Sequence, residues 1–131
     1  MKKIITVSVI MAIILGLSIA ETAIGQKVYG KIEEDCLVMS KMLEGREDNV
    51  KNDKDLIKRA DDLIDYWSEY YQYLMTLSNH TTIKNFNEKV NSIKAYILVD
   101  AAEDAYVATV SVMGTAKDLK DENMPFLENL L

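Results

Sequence analysis

The side chains that most often perform chemistry in proteins are scarce in this 131-residue chain, which has one histidine and one cysteine. His80 follows Asn79, and the pair predicts a pH-sensitive or structural loop contact, because an imidazole titrates between pH 5 and 8. Catalysis by a histidine also needs a group that orients the base, and the sequence displays none. A four-ligand zinc site is excluded unless carboxylates supply the ligands that one cysteine and one histidine cannot. We therefore expect no enzymatic activity, no metal and no cofactor.

Aromatic side chains are concentrated in one eight-residue segment that holds one tryptophan and four tyrosines. At 100° per residue, Trp67 and Tyr71 face the core of a helical protein, whereas Tyr66, Tyr70 and Tyr73 lie along an adjoining stripe. Exposed amphipathic rings often bind sugars or peptides, so this tyrosine stripe is a candidate partner-binding surface. The alternative is a wide edge of the core whose hydroxyl groups reach water.

A second candidate surface lies near the carboxy terminus, where residues 105–116 carry no charge. Tyr106, Val110 and Met113 form a face beside the main apolar stripe of that segment. Apolar residues on two faces of a helix predict burial on two sides. We therefore interpret these three residues as a docking face for a second copy or for a membrane partner. The alternative is a central bundle position covered by the carboxy-terminal tail.

The amino terminus differs in composition from the rest of the chain, because Lys2 and Lys3 precede an uncharged apolar segment at residues 4–20. As a helix this segment rises about 25 Å, at the short end of what spans a hydrocarbon core of about 30 Å. It predicts either an uncleaved signal-anchor helix or a signal peptide cleaved near Ala20, after Ser18-Ile19-Ala20. In both cases the two lysines stay on the cytoplasmic side and the remainder lies outside.

The elements that position these residues are predicted to be all α-helical. Residues 1–23 form the signal-anchor or signal peptide, and residues 24–131 form one extracytoplasmic domain. In that domain apolar residues recur every three or four positions, which favours an antiparallel bundle of about four helices. The four predicted core stripes are Ile24, Val28, Ile32, Cys36, Met39 and Leu43; then Leu56, Ala60, Leu63, Trp67, Tyr70 or Tyr71, and Leu74; then Ile83, Phe86, Val90, Ile93 and Ile97; and finally Ala105, Thr109, Val112, Ala116 and Leu119.

Helix boundaries are predicted from capping and breaking residues. The first bundle helix ends near Gly45, and Asp53 is the expected amino-terminal cap of the second. Asp100 followed by Glu103 has capping-box spacing, so we expect a break there with Asp100 as the cap of the fourth helix. Pro125 is expected to stop that helix, after which the tail packs back across the bundle.

The charge balance excludes one large class of partner. The chain has 15 basic and 21 acidic residues, for a net charge of −6. Without Lys2 and Lys3 the net charge of the outer part is −8. A nucleic-acid-binding protein needs a clustered basic face, so no nucleic-acid partner is expected. An acidic domain is also not expected to adsorb to an anionic lipid surface.

Several of these features occur together in one known family. The lysine-led apolar segment, Trp67, the Asn79-His80 pair and the terminal Leu127-Glu128-Asn129-Leu130 resemble the domain of unknown function 4363 family. This family consists of small membrane-anchored helical proteins of Gram-positive bacteria. The resemblance implies an uncleaved anchor and an outer helical domain, and it implies no activity.

These observations predict a single-pass protein of the cell membrane whose carboxy-terminal domain lies outside. Its expected role is interaction, as a scaffold, sensor or regulator of a membrane protein. Its expected partner is a membrane or envelope protein, or a second copy of itself. The alternative is a helical binding protein secreted after cleavage near Ala20, with a peptide or envelope glycan as its ligand.

Overall fold

The computed structural model describes residues 1–77 and 79–130, and it describes the side chains of all of these except Leu77 and residues 123–130. Over these ranges the chain forms four α-helices and no strand. The helices are α1 (Lys2–Leu43), α2 (Lys54–Leu77), α3 (His80–Leu98) and α4 (Ala102–Leu130). The predicted all-α fold, with an apolar amino-terminal helix and a four-helix bundle, is confirmed.

The helices pack in the order in which they occur along the chain. α1 packs along α2, α2 along α3, α3 along α4, and α4 returns to pack along α1, whereas across one diagonal the Tyr29 ring of α1 meets the Phe86 ring of α3 in the core. Short connections between successive helices make neighbours antiparallel, as in an up-down-up-down bundle. The bundle part of α1 therefore forms one corner, beside both α2 and α4.

The core is built from the residues that the periodicity predicts. All five predicted residues of α3 and all five of α4 are buried. In α1 and α2 the predicted stripes are also buried, except that Ile24, Tyr70 and Tyr71 are half-buried. Tyr29 and Val50 are buried as well and lie outside the predicted stripes. Tyr29 belongs to the core because α1 packs against two neighbours, which widens its buried arc.

The predicted start of the second helix is confirmed. Asp53 Oδ1 accepts a hydrogen bond from the backbone N–H of Leu56 at 3.1 Å, which satisfies one of the free amide groups of the first turn of α2. Arg46 also donates to the Asp53 carboxylate at 2.6 Å. The pKa of Asp53 is lowered, first by the hydrogen bond from Arg46 and then by that from Leu56. Gly45 follows α1 with a φ of 74°, a conformation that favours glycine.

The break between α3 and α4 is confirmed, but Asp100 does not cap α4. Its φ is 60°, and its carboxylate accepts hydrogen bonds from the backbone N–H groups of Val50 at 2.8 Å and Lys51 at 3.3 Å. The left-handed backbone directs the side chain across to the α1–α2 loop, and α4 begins at Ala102. Burial acts to raise the pKa of Asp100, but the N–H groups of the loop outweigh it and lower the pKa. Asp100 therefore joins two connections at one end of the bundle.

Pro125 does not stop the last helix, because the backbone of α4 remains helical to Leu130. The fixed φ of proline is a helical value, so a helix can pass through it with the loss of one hydrogen bond. The predicted packing of the tail across the bundle concerns side chains outside those that the structure describes.

Candidate functional site

The most prominent exposed apolar surface of the molecule is the first part of α1. The first 17 residues of the chain are all exposed, and burial in α1 begins at Thr22. This helix is long and apolar enough to cross a membrane. Its 42 residues rise about 63 Å, roughly twice the thickness of a hydrocarbon core.

No linker separates the apolar part of α1 from its bundle part. The helix continues without a break through Ala20 and Glu21, and Thr22 donates a hydrogen bond to the carbonyl of Ser18 across this junction at 2.9 Å. Cleavage after Ala20 would leave every buried residue of α1 in the bundle, because the first of them is Thr22. The bundle is therefore complete in both the anchored and the cleaved form.

The bundle part of α1 is fastened to α4 close to this junction. Lys120 Nζ lies 2.9 Å from Glu33 Oε2, and Gln26 Nε2 donates to the backbone carbonyl of Lys120. The hydrogen bond to Glu33 raises the pKa of Lys120. A Cβ added at Gly30 would lie 3.9 Å from the Lys120 side chain, so this side chain packs over Gly30 of α1. α4 therefore follows any change in the position of α1.

The predicted docking face on α4 is divided by the structure. Tyr106 and Met113 are half-buried and pack against the core, and Tyr106 lies near Leu43 at the end of α1. Val110 is 37% exposed, and it is joined on the outer surface by Val107, which is 60% exposed. Gly114 is also exposed, with no atom within 4 Å of the place where a Cβ would stand. The accessible uncharged surface of α4 therefore includes Val107, Val110 and Gly114, together with the exposed Ser111.

Tyr106 also lines a surface depression of about 400 Å³ at the end of the bundle where α1 ends and α4 begins. Its lining also includes the apolar Leu43, Gly45 and three charged residues, namely Arg46, Glu47 and Glu103. Tyr106 is the one residue of this depression that the sequence predicts to bind a partner. Its mixture of one basic and two acidic side chains specifies no single ligand class.

The tyrosine stripe lies on the side of α2 that meets α1, where lysines cover it. The Tyr66 and Tyr70 rings are 5.2 Å apart and half-buried. Lys31 Nζ lies 5.2 Å from the centre of the Tyr66 ring, and Lys27 Nζ lies 5.9 Å from that of Tyr70. Both are cation–π distances. Tyr73 is 41% exposed, so the stripe presents one open ring instead of three.

The hydroxyl group of Tyr66 is held in an apolar setting. Among the described side chains, Tyr66 Oη is buried and has no hydrogen-bond partner. Burial, followed by the charges of Tyr70, Asp35 and Glu69, raises the pKa of Tyr66. A buried hydroxyl of this kind contributes little to ligand recognition, because the ring faces the lysines of α1 and the oxygen does not reach the surface.

Asn79 and His80 have separate positions at the start of α3. Asn79 is the amino-terminal cap, and its Oδ1 accepts a hydrogen bond from the backbone N–H of Thr82 at 3.2 Å. His80 is the first residue of the helix, and its side chain is exposed. The asparagine is thus a structural residue, with a capping pattern that the sequence already contains.

Trp67 has the most extensive aromatic contacts in the described core. Its ring centre lies 4.8 Å from that of Phe86, 6.3 Å from that of Tyr29 and 6.0 Å from that of Tyr71. Its Nε1 donates a hydrogen bond to Asn87 Oδ1 at 2.9 Å. This aromatic cluster joins α1, α2 and α3 and fixes their relative positions along the axis of the bundle.

Residues with nucleophilic or metal-binding side chains are not gathered into a site in the part of the chain that the structure describes. No three His, Cys, Asp or Glu side chains there are arranged to hold a metal ion. Cys36 is fully buried, and burial, followed by the charge of Asp35, raises the pKa of its thiol to about 12. Comparisons of the chain with family models, curated proteins and solved structures found no match.

Proposed function

We propose that this protein is a membrane-anchored, extracytoplasmic helical interaction module that acts as a scaffold, sensor or regulator of a membrane protein. One observation carries the proposal: α1 is a single helix whose first part is apolar and exposed and whose second part is a corner of the bundle. An exposed apolar helix of this length is unfavourable in water and favourable in a bilayer. Lys2 and Lys3 favour a cytoplasmic amino terminus and an external bundle.

The resemblance to the domain of unknown function 4363 family belongs to the same proposal. It rests on Trp67, on the Asn79-His80 pair and on the terminal residues 127–130. The resemblance implies an anchor helix followed by an outer helical domain, and the apolar amino-terminal helix that precedes the helical bundle supports this part of the proposal. Catalysis plays no part in the proposed role.

The anchor is tested by membrane fractionation of cells that express the full chain, together with its intact mass. The proposal expects the protein in the membrane pellet after alkaline extraction, with a mass that includes residues 1–20. A thiol-reactive dye that does not cross membranes should label a Val99→Cys variant in intact cells, because Val99 is 72% exposed on the bundle. A soluble protein that begins at Glu21 would instead support the secreted binding protein.

The interaction surface is tested on the outer face of α4. Val110→Glu places a charge on this uncharged surface, so it should reduce the crosslinked species formed with a second copy or a membrane partner. Ala95→Glu is the matched control, because Ala95 is exposed on α3 and receives the same charge. If both variants crosslink as the unmodified protein does, the α4 surface is not the docking face. Unfolding by Val110→Glu alone would assign Val110 to the core.

A further inference from the structure

Because α1 is continuous, the distance of each part of the bundle from the apolar segment can be measured along the axis of α1. The Tyr29, Trp67 and Phe86 rings are neighbours, with centres 4.8 to 6.3 Å apart, so they lie at one level. At 1.5 Å per residue, Tyr73 and His80 are each about 9 Å closer to the apolar segment than this level, and Glu21 is about 12 Å closer. Tyr73 and His80 therefore stand beside residue 23 of α1, almost at the end of the apolar segment.

We call the end of the bundle nearest the apolar segment the base. The last turns of α2 and the first turn of α3 form one corner of it, the α2–α3 corner. Residues 70–83 contain no Asp, Glu, Lys or Arg, in a chain of which 27% is charged. Tyr73 is exposed here, and so are Asn79, His80, Thr81 and Thr82. The base therefore offers one aromatic ring and several uncharged polar side chains.

Acidic residues at the same level lie on the other two helices. Glu21 belongs to α1 and Glu122 to α4, and both raise the pKa of the nearby Tyr29 after the larger effect of burial. The net charge of the outer domain is therefore a poor guide to the base, since its α2–α3 corner is uncharged. Lys84 is the first charged residue of α3 beyond it.

We propose that the α2–α3 corner of the base contacts the headgroup layer of the bilayer that holds α1. The inference rests on the proposed anchor. A bilayer adds about 5 to 8 Å of headgroup region to each side of its hydrocarbon core, which covers the first four or five residues of α1 beyond the apolar segment. Tyr73 and the start of α3 stand at that depth. Tyrosine rings are enriched at this interface, and neutral polar groups can hydrogen-bond there.

The contact requires no anionic lipid, because the corner has no basic cluster. A zwitterionic bilayer of phosphatidylcholine is therefore the appropriate probe. The opposite end of the bundle, at Leu43, is 22 residues beyond Glu21 and stands about 33 Å higher along α1. Lipid contact should therefore be confined to the base.

The test uses the full-length chain in phosphatidylcholine vesicles, with an environment-sensitive dye on single introduced cysteines. Tyr73→Cys and Thr81→Cys report on the base. Ala95→Cys is the matched control, because it is also exposed on α3 but lies 14 residues, or about 21 Å, beyond Thr81. Cys36 is fully buried and should not react. Circular dichroism identifies any variant that loses helix.

The proposal expects blue-shifted dye emission at positions 73 and 81, and its loss when lipids with a quencher near the headgroup are added. The dye at position 95 should emit as in water and resist quenching. Equal behaviour at 81 and 95 would overturn the proposal. A blue shift at 81 that lipid quenchers leave unchanged would also overturn it, since it would indicate contact between copies.

Flotation of the vesicles separates this inference from the proposed function. Protein that floats with the lipid but has an unquenched dye at position 81 retains the anchor and refutes the contact at the base. Protein that fails to float refutes both.

Discussion

The hydrogen bond between Trp67 and Asn87 provides the most quantitative test of how the bundle is held together. Trp67 is fully buried, and its indole N–H donates to Asn87 Oδ1 at 2.9 Å. Asn87 Oδ1 also accepts from Asn91 Nδ2 at 3.1 Å. The two partners of the bond are therefore unequal, because only the indole N–H is left without a partner when the other is removed.

The expected losses of stability follow from this inequality. Trp67→Phe removes about 50 Å² of buried apolar area, worth about 1 to 1.5 kcal/mol, and one hydrogen bond worth about 1 kcal/mol. We expect the free energy of unfolding to fall by about 2 to 3 kcal/mol. Asn87→Ala leaves the indole N–H buried and unpaired, which costs about 1 to 3 kcal/mol. In the Trp67→Phe background the same Asn87→Ala change should cost about 1 to 2 kcal/mol less, because no indole remains.

The measurement is a double-mutant cycle on the full-length protein in detergent. Unfolding by denaturant is followed by circular dichroism, since the Trp67→Phe variants contain no tryptophan whose fluorescence could be followed. Asn91→Ala is the control, because Asn91 is exposed and removing it leaves the bond between Trp67 and Asn87 in place. If the losses of the two single variants add in the double variant to within about 0.5 kcal/mol, the bond does not stabilise the fold and the reasoning is refuted.

Four further predictions concern the helix ends and the core. Asp100→Ala should lower the melting temperature more than Asp100→Asn, which keeps an acceptor for the Val50 N–H and tolerates a positive φ; equal losses would contradict the role of the carboxylate oxygen. Because the folded-state pKa of Asp100 is lowered, its stabilisation is present above about pH 4 and is lost as the pH falls through that lowered pKa, so Asp100→Asn should make acid unfolding less steep. Asp53→Ala should reduce the free energy of unfolding by about 1 kcal/mol, and Asp53→Asn by less, since asparagine also caps helices; denaturant titration checks this order. Cys36 should react with a thiol reagent only at the rate of unfolding, because its thiol is buried with a pKa of about 12; rapid labelling of folded protein would show that α1 opens.

The core could be predicted from the sequence because the buried face of a helix requires an apolar residue at every third or fourth position. Ile83, Phe86 and Val90 illustrate this, since each lies three or four residues from the next and all are buried. Val50 could not be predicted in the same way. It lies in a loop, and it is buried because the distant Asp100 holds its backbone against the bundle. The spacing of apolar residues within one helix does not predict a contact between residues that are 50 positions apart.

The candidate surfaces were less predictable for a related reason. A period shows which residues share a face, but it does not show which neighbouring helix covers that face. Tyr106 and Val110 are equally apolar in pattern, yet packing beside α1 half-buries Tyr106 and leaves Val110 open. The same applies to Tyr66 and Tyr73, because only Tyr66 lies beneath a lysine of α1. Capping spacing was likewise ambiguous, since Asp100 and Asp53 have the same residue type but only Asp53 caps a helix.

The position of α1 in the bundle determines how the membrane can influence the outer domain. α1 packs along α2 and α4, and it also reaches α3 through the core contact between the Tyr29 and Phe86 rings. The contact between α1 and α4 is the most extensive between any two helices of the described chain, and it includes the ion pair between Lys120 and Glu33, whereas the smaller contact with α2 includes the Tyr29 and Trp67 rings. A change in the tilt of the anchor should therefore carry α4 along with α1, and with α4 the exposed surface that includes Val107, Val110 and Gly114.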